Sequence, residues 1–347
     1  ILDPFAAADI LMPAGKRTLS QWVKFANSLR LRLAIRVSMS APDLARAEVA
    51  KAMDATAGGV LESADETVAV STESGYKNPL GTVNEGWGEV FMGATMESVL
   101  VGYNDPRLIK YYSKAEGGDI KDEKGNLIIA ERNKIAGTYK GVPQGTGVTV
   151  KDENRYRLHS KSTITKQTDA ILMTAAEVWF LRAEAALRGF TSENVKDCYE
   201  KGITVSCQQW GVNVGDYLTS DATPSDYVDA FEAKYDVKAL IKVTPKWDGG
   251  ASPEEQLERI LTQKWIACYP EGYEAWTEQR RTGYPQLFKV FVNNSGGAID
   301  TNIRIRRLPY PSDIQKNNPT QYSALKKALG GEDNGGTRLW WDTGRNF

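Results

Sequence analysis

The chain has 347 residues, enough for one large domain or two ordinary ones, and its composition, 41% hydrophobic and 25% charged, is that of a globular protein. Its net charge of −1 excludes the basic excess that a nucleic-acid-binding surface needs, so we expect no nucleic-acid partner. No run reaches the roughly 20 apolar residues that span a bilayer, and because the chain begins at Ile1 without Met or a signal peptide we expect a fragment or processed form.

The first predicted element is a helix over Trp22–Met39, although part of it, SLRLRLAIRVS at 28–38, alternates like a half-buried strand. The residues before that stretch have helical spacing. Wound as a helix, the segment has two apolar stripes, Leu29, Leu33 and Val37 on one side and Leu31, Ala34, Ile35 and Ser38 on the other. Two stripes predict a helix packed on two sides. We expect its three arginines to reach outward to carboxylates; a basic helix facing a membrane or RNA is the alternative that the balanced charge disfavours.

Three antiparallel helix pairs are predicted along the chain, at about 20–57, 172–211 and 252–284. After Trp22–Met39, the first helices of the second and third pairs are Thr174–Phe190 and Pro253–Tyr269. Such pairs, with small residues where the helices cross, are typical of tetratricopeptide units.

Capping signals give the third pair the clearest boundaries. Ser252 is a predicted N-cap, Pro253 occupies the first helical position and Glu255 completes a capping box. The partner helix ends in Arg280 and Arg281. We predict that these two arginines are structural and bind carboxylates or helix-end carbonyls.

Long polar segments containing Gly and Pro separate the helix pairs, at about 58–170, 212–251 and 291–347. Within the first, IKDEKGNLIIA predicts a hairpin with its turn at Lys124–Asn126. The sequence therefore predicts a helical array that carries loop-rich insertions.

Motifs for enzymatic chemistry are weak. His159 is the only histidine, in a polar stretch that we expect to be exposed, so multi-histidine metal sites are excluded. The chain has no nucleophile elbow and no glycine-rich nucleotide loop. The chain has 44 acidic residues, so a pair of catalytic carboxylates, as in a glycosidase, stays open as an alternative, but no pair stands out from the others. We therefore predict a binding protein with no cofactor and no metal.

The three cysteines do not indicate a disulfide framework. Cys198 and Cys207 would lie on opposite faces of one helix, where they cannot pair. We expect both of them, and Cys268, to be buried as small apolar residues.

Aromatic residues give the candidate ligand site. Trp22, Trp179, Trp265 and Trp276 have helical positions and are predicted to lie in the core. Other aromatics occur in irregular segments, with Asn78 and Asn84 nearby. Flat rings combined with amide donors suit a sugar or a peptide. The predicted ligand-binding residues are Tyr76, Asn84, Trp87 and Trp247. The competing interpretation is that these rings only anchor their loops.

Several blocks together resemble a known family. They are WVKFANSLRLRLAIRVS, NPLGTVNEGW with NDPRLIKYY, ILMTAAEVWFLRAEAALRGF, LTQKWIACYPEGYEAWTEQRRTGYP, and RRLPYPSDIQKNNPTQY with GGTRLWWDT. Their order and spacing, over about Trp22–Asp342, are similar to the SusD/RagB nutrient-binding lipoproteins of Bacteroidetes. The resemblance implies a mainly α fold, a tetratricopeptide-like superhelix packed against a loop-rich region with small β-hairpins. Residues 1–347 would form one such domain, incomplete at its N-terminus.

The resemblance also implies a function and a location. Such proteins are not enzymes; they lie on the extracellular face of the outer membrane, held by an N-terminal lipid that this chain lacks. They act as the lid of a SusC-like TonB-dependent transporter and bind glycans or peptides for import. Two alternatives stay open, a tetratricopeptide-like scaffold for a partner peptide and a carbohydrate-active enzyme.

Overall fold

The protein is described by a computed structural model that covers residues 5–148 and 154–347. Helices make up 41% and strands 6% of the structure, so the predicted mainly α class is confirmed. In the described ranges the helices are α1 (Leu19–Arg36), α2 (Pro42–Ala52), α3 (Pro79–Thr82), α4 (Ala94–Gly102), α5 (Leu108–Tyr111), α6 (Ala175–Leu187), α7 (Val195–Gln209), α8 (Pro253–Ala267), α9 (Gly272–Thr282), α10 (Ser312–Asn317) and α11 (Pro319–Leu329). The strands are β1 (Val68–Val70), β2 (Ile120–Lys121), β3 (Leu127–Ile129) and β4 (Ala170–Met173).

The alternating stretch is helical, as predicted. It lies in α1, which begins after Thr18, whose Oγ1 accepts a hydrogen bond from the backbone N–H of Gln21 at 3.2 Å. One predicted stripe is buried, with Leu31 and Ile35 fully inaccessible. The other is not a buried face, because Leu33 is 58% exposed. The prediction of two apolar contact sides is therefore wrong, and the second buried side of α1 is formed by charged residues.

The predicted helix pairs pack side by side. Within each pair the members contact each other, α1 with α2, α6 with α7 and α8 with α9, and α6 also contacts α1 and α8. The capping box at the start of α8 is present as predicted, with Ser252 Oγ accepting from Glu255 N–H and Glu255 Oε2 accepting from Ser252 N–H. All three cysteines are buried and free, also as predicted.

A buried ionic cluster joins the three helix pairs where α1, α6, α8 and α9 meet. We call it the central ion cluster; its cations are Arg32, Arg36, Lys264 and Arg281, and its anions are Glu177, Glu184, Glu274 and Glu278. The predicted pairing of α1 arginines with carboxylates is confirmed, but Arg36 is buried at 8% exposure and does not reach outward. Arg188, at the end of α6, adds a further cation 2.7 Å from Glu184, so each of the four buried carboxylates has at least one cation beside it.

The central ion cluster makes stability depend on pH. Burial raises the pKa of the Glu274 carboxyl, but Lys264 and Arg36 outweigh it and lower the pKa from 4.5 to about 2. A lowered folded-state pKa contributes stability that is complete above pH 4.5 and is lost as the pH falls toward about 2. We expect Lys264→Met to lower the melting temperature strongly at neutral pH and much less near pH 2, because protonated carboxyls no longer need the cation.

The measurement is the melting temperature of wild type and variant across this pH range. Lys201→Met, on the exposed side of α7, is the matched control and should follow wild type throughout. An effect of Lys264→Met that does not change with pH would contradict the linkage.

The loop-rich segments carry two small antiparallel sheets, β1 with β4 and β2 with β3. The predicted hairpin is confirmed: Asp122 Oδ1 accepts hydrogen bonds from the N–H groups of Lys124 and Asn126, at 2.9 and 2.8 Å, and these bonds close the turn.

Arg107 connects the loop-rich segment at 58–170 to the helices. Its guanidinium donates hydrogen bonds to Ser206 on α7 and to Gln263 on α8.

His159 is buried, at 2% exposure, so its predicted exposure is wrong. Its ring lies 5.1 Å from that of Tyr156 and 5.9 Å from that of Phe231. Burial, with the nearby Lys140, lowers the pKa of the imidazole to about 3, so the ring is neutral. The backbone N–H of the neighbouring Ser160 donates to Lys140 O, and Ser160 Oγ accepts from the backbone N–H of Lys140. Because these polar groups are hydrogen-bonded, this polar stretch can be buried.

Candidate functional site

A cavity of about 670 Å³ lies between α9, the end of α8 and the loop at 287–305. We call it the aromatic cavity, because Trp265 and Trp276 line it. Its polar lining consists of Gln144, Gln279, Asn293, Asn294, Ser295, Asp300, Thr301 and Arg304. The volume and the mixture of rings with a few polar groups are those of small-molecule binding sites.

Trp276 is held rigidly in this cavity. Its indole N–H donates to the backbone oxygen of Ile305 at 3.1 Å, and the guanidinium carbon of Arg280 lies 3.6 Å from the ring centroid. A hydrogen bond at the edge and a cation on the ring together fix the orientation of the indole. The ring is half-buried and faces the cavity, so its predicted place in the core is wrong. Trp265 packs against the core as predicted and also lines the cavity.

The polar groups of the cavity are braced by one another. Arg304 has a φ of +62°, an uncommon left-handed conformation for a non-glycine residue, and its Nη1 donates to Gln144 Oε1 at 2.7 Å. The side-chain amide of Asn293 donates to Ile299 O and Thr301 Oγ1, at 2.8 and 3.0 Å. The loop therefore presents amide, hydroxyl and guanidinium groups in a defined geometry.

Two smaller cavities extend the aromatic cavity along α9. One, of about 220 Å³, shares Trp265, Gly272 and Ala275 with it and reaches Leu80 and Phe91, which flank the loop of Trp87. The other, of about 490 Å³, shares Gln279, Leu287, Thr301 and Arg304 with it. We call these three neighbouring cavities, which share lining residues, the α9 groove.

The four predicted ligand residues are not brought together in the α9 groove. Trp87 is 61% exposed at the end of a π-helical turn, Val83–Trp87, and is not among the residues that line the small cavity. The amide of Asn84 donates to the backbone oxygens of Ser162 and Ile164, at 2.7 and 2.8 Å, so it braces the chain.

Tyr76 is half-buried in the loop before α3. Trp247 packs against the core, with its ring centroid 5.1 Å from that of Tyr199. Binding of ligand by Tyr76, Asn84, Trp87 and Trp247 stays a prediction.

Sequence reasoning missed Trp265 and Trp276 because it assigned helical tryptophans to the core. A signal was present in the sequence around Trp276, which reads EAWTEQRR and is strongly polar. A tryptophan in a polar helix lacks apolar neighbours at helical spacing, so it does not belong to a core-facing stripe. Such a ring is free to line a surface groove.

Within residues 5–148 and 154–347, no cluster of three or more His, Cys, Asp and Glu side chains is arranged to hold a metal ion. No helix in the described part of the chain has both the length and the apolar character to cross a membrane.

Comparisons with known proteins place the chain in a family. The model of the family described as "Susd and RagB outer membrane lipoprotein" matches residues 12–342. A solved SusD homologue from Bacteroides vulgatus is 50% identical, with a TM-score of 0.89, and the alignment covers 100% of this chain and 67% of that one. A chitin-binding SusD homologue from Flavobacterium johnsoniae is 36% identical, with a TM-score of 0.87 and coverage of 99% and 67%.

A third SusD homologue, from Bacteroides thetaiotaomicron, is 32% identical, with a TM-score of 0.84 and coverage of 100% of this chain and 70% of that one. Among curated proteins, none matches this chain. The family match and these structures confirm the predicted resemblance, the predicted fold and the predicted location at the extracellular face of the outer membrane: this chain belongs to the SusD/RagB family of outer membrane lipoproteins.

Proposed function

We propose that this chain binds a nutrient glycan in the α9 groove without converting it and, as the lid of a SusC-like TonB-dependent transporter, delivers it for import. Family membership and the chitin-binding relative support the nutrient and its class. The observation that carries the proposal is the aromatic cavity, in which Trp265 and Trp276 lie beside fixed amide and hydroxyl groups. Sugar rings need both, because their CH faces stack on aromatic rings and their hydroxyls need hydrogen-bond partners.

The lining of the aromatic cavity supports binding over hydrolysis. Most glycosidases use two carboxyl groups across the scissile bond. Asp300 is the one acidic residue among the described residues that line this cavity. Its Oδ1 accepts hydrogen bonds from the backbone N–H groups of Asn302 and Ile303, at 2.7 and 3.3 Å, which gives it a role in the loop. Product analysis after incubation with glycans tests the enzymatic alternative: released sugars would contradict the proposal.

Replacing Trp276 by Ala is expected to weaken glycan binding about 10- to 30-fold, because the stacking platform is lost. The measurement is calorimetry of the purified chain with chitin oligosaccharides and a panel of other glycans, with an extended peptide library in parallel. Trp340→Ala is the matched control, since Trp340 is 68% exposed and lies outside the α9 groove.

The same experiment tests the ligand-binding residues that were predicted from the sequence. Normal binding by Trp276→Ala together with loss of binding in Trp87→Ala or Trp247→Ala would move the ligand face to the 75–87 and 212–247 segments. Binding of peptides but no glycan would favour a peptide ligand. Co-purification of the lipidated protein with a SusC-like barrel from outer membranes tests the partnership.

A further inference from the structure

The larger of the two cavities that extend the aromatic cavity is strongly cationic. This cavity of about 490 Å³, which we call the cationic cavity, lies between the end of α9, the 286–306 loop and the C-terminal tail. Its charged lining residues are Arg280, Arg281, Lys289, Arg304, Arg306 and Arg338. None of the described residues that line it is acidic. The net charge of the whole chain is only −1. The six cationic residues of the lining therefore concentrate a positive electrostatic potential in this one concave site.

Three of the six cations have carboxylate partners outside the lining. Arg281 binds Glu184 and Glu278 in the central ion cluster. Arg306 and Arg338 share a single carboxylate, that of Asp342, which lies 2.7 Å from Arg306 Nε. Even these two arginines therefore leave an excess of positive charge.

The other three cations have no carboxylate partner within the described parts of the chain. Arg304 donates to the side-chain oxygen of Gln144 and the backbone oxygen of Phe288, both neutral. Lys289 is exposed at the mouth, where its ammonium lies 5.2 Å from the ring centroid of Phe291. The third is Arg280, which is only 7% exposed.

Arg280 is the buried member of these three cations. Its Nη1 donates to Arg306 O at 2.6 Å and its Nη2 to Thr277 Oγ1 at 3.1 Å, and its buried Nε has no partner. Burial, with the neighbouring Arg36 and Arg306, lowers the pKa of the guanidinium to about 10. A buried cation without a counter-charge is costly, and a bound anion would relieve that cost.

Arg280 and Trp276 connect the two cavities. Arg280 lines the cationic cavity, and its guanidinium lies on the ring of Trp276, which lines the aromatic cavity. A ligand stacked on Trp276 would therefore extend its next substituent toward Arg304 and Lys289. Guanidinium groups bind carboxylates and sulfates through charge-assisted hydrogen bonds, which are stronger than bonds to neutral hydroxyls.

We propose that the cationic cavity receives the anionic substituent of an acidic glycan, a carboxylate or a sulfate, while neighbouring sugar rings occupy the aromatic cavity. This inference rests on the proposed glycan-binding function and adds the chemical class of the glycan. It names the groups that select the charge: Arg280 as the buried cation, and Arg304 and Lys289 as the cations at the wall and mouth.

The test compares calorimetric affinities for three tetrasaccharides: neutral chitotetraose, carboxylated tetragalacturonate and a sulfated chondroitin fragment. We expect at least one acidic ligand to bind about tenfold or more tightly than the neutral one at physiological salt. Lys289→Glu and, separately, Arg304→Gln are expected to abolish that preference. Lys289 is exposed, so its variant should fold normally; Lys316→Glu, on the exposed α10, is the matched control and should retain the preference.

Comparing the sulfated chondroitin fragment with its desulfated form, which keeps the carboxylates of its uronic acids, distinguishes carboxylate from sulfate. Equal affinity for acidic and neutral glycans, or an acidic preference that both variants retain, would overturn the inference while glycan binding stands. Binding of an acidic peptide with no binding of any glycan would overturn this inference together with the proposed function.

Discussion

Replacing Arg281 by Ala is expected to lower the free energy of unfolding by about 3–5 kcal/mol, because it removes a buried cation that binds Glu184 and Glu278 together. The guanidinium donates to both oxygens of Glu184, each at 2.7 Å, and binds Glu278 at 2.7 Å. All three residues are at most 5% exposed, so water cannot replace the lost partner. These contacts confirm the predicted binding of Arg281 to carboxylates.

The measurement is urea-induced unfolding of the variant and of wild type. Lys238→Ala is the matched control: its ion pair with Asp226 lies at the surface, so its loss should cost about 1 kcal/mol or less. Arg281→Lys should recover only part of the stability, since an ammonium cannot bind Glu184 through two parallel bonds. Unchanged stability of Arg281→Ala combined with lost ligand binding would make Arg281 a ligand residue.

Replacing Arg107 by Ala is expected to have a comparably large effect, about 3–5 kcal/mol, on a different part of the molecule. Arg107 and its partner Asp105 are inaccessible to solvent in their side chains and lie 2.6 Å apart. The guanidinium also donates to Ser206 and Gln263, at 3.0 and 2.9 Å, and so joins the 104–112 segment to α7 and α8. Its removal leaves Asp105 buried and unpaired.

We expect the Arg107→Ala protein to lose protection from amide hydrogen exchange first in the 104–112 segment and the loops around it, because their connection to the helices is lost. Arg132→Ala is the matched control, since its pair with Asp236 is about one-third exposed on both sides. A variant whose loops stay as protected as in wild type would show that apolar packing alone holds the two parts together.

Arg280 differs from its neighbour Arg281. Both were predicted to bind carboxylates or helix-end carbonyls, and Arg280 does bind a carbonyl, that of Arg306, but this oxygen belongs to a loop. No carboxylate pairs with Arg280 within residues 5–148 and 154–347. Both arginines line the cationic cavity, but Arg281 binds carboxylates of the central ion cluster, whereas Arg280 binds only neutral oxygens.

Local features of the sequence were sufficient to predict the three helix pairs and the hairpin, but not α3, α4, α5, α10 and α11, which lie in segments predicted to be loop-rich. Ser252 and Glu255 mark the start of α8 because a capping box satisfies backbone groups within four residues. Asp122 and Asn126 mark the hairpin for the same local reason. The family blocks span most of the chain, so the class of protein and its location could also be predicted.

Only the tertiary structure decided which side chains are buried and which line the groove. Leu33 and Leu31 occupy the same helix with similar hydrophobicity, yet one is exposed and the other is core. Periodicity tells which side of its own element a residue occupies. What covers that side depends on segments far away in the chain.

The α9 groove illustrates that limit, since it combines Gln144, Trp265 and Arg304, which are distant in sequence. His159 was misjudged for the same reason: its neighbours in sequence are polar, but Phe231 covers it in space. The sequence alone determined the three helix pairs, the hairpin and the family, because their signals are local or recur as blocks. Burial, ion pairing and the shape of the candidate site arise from long-range packing, in which each residue's surroundings are supplied by other parts of the chain.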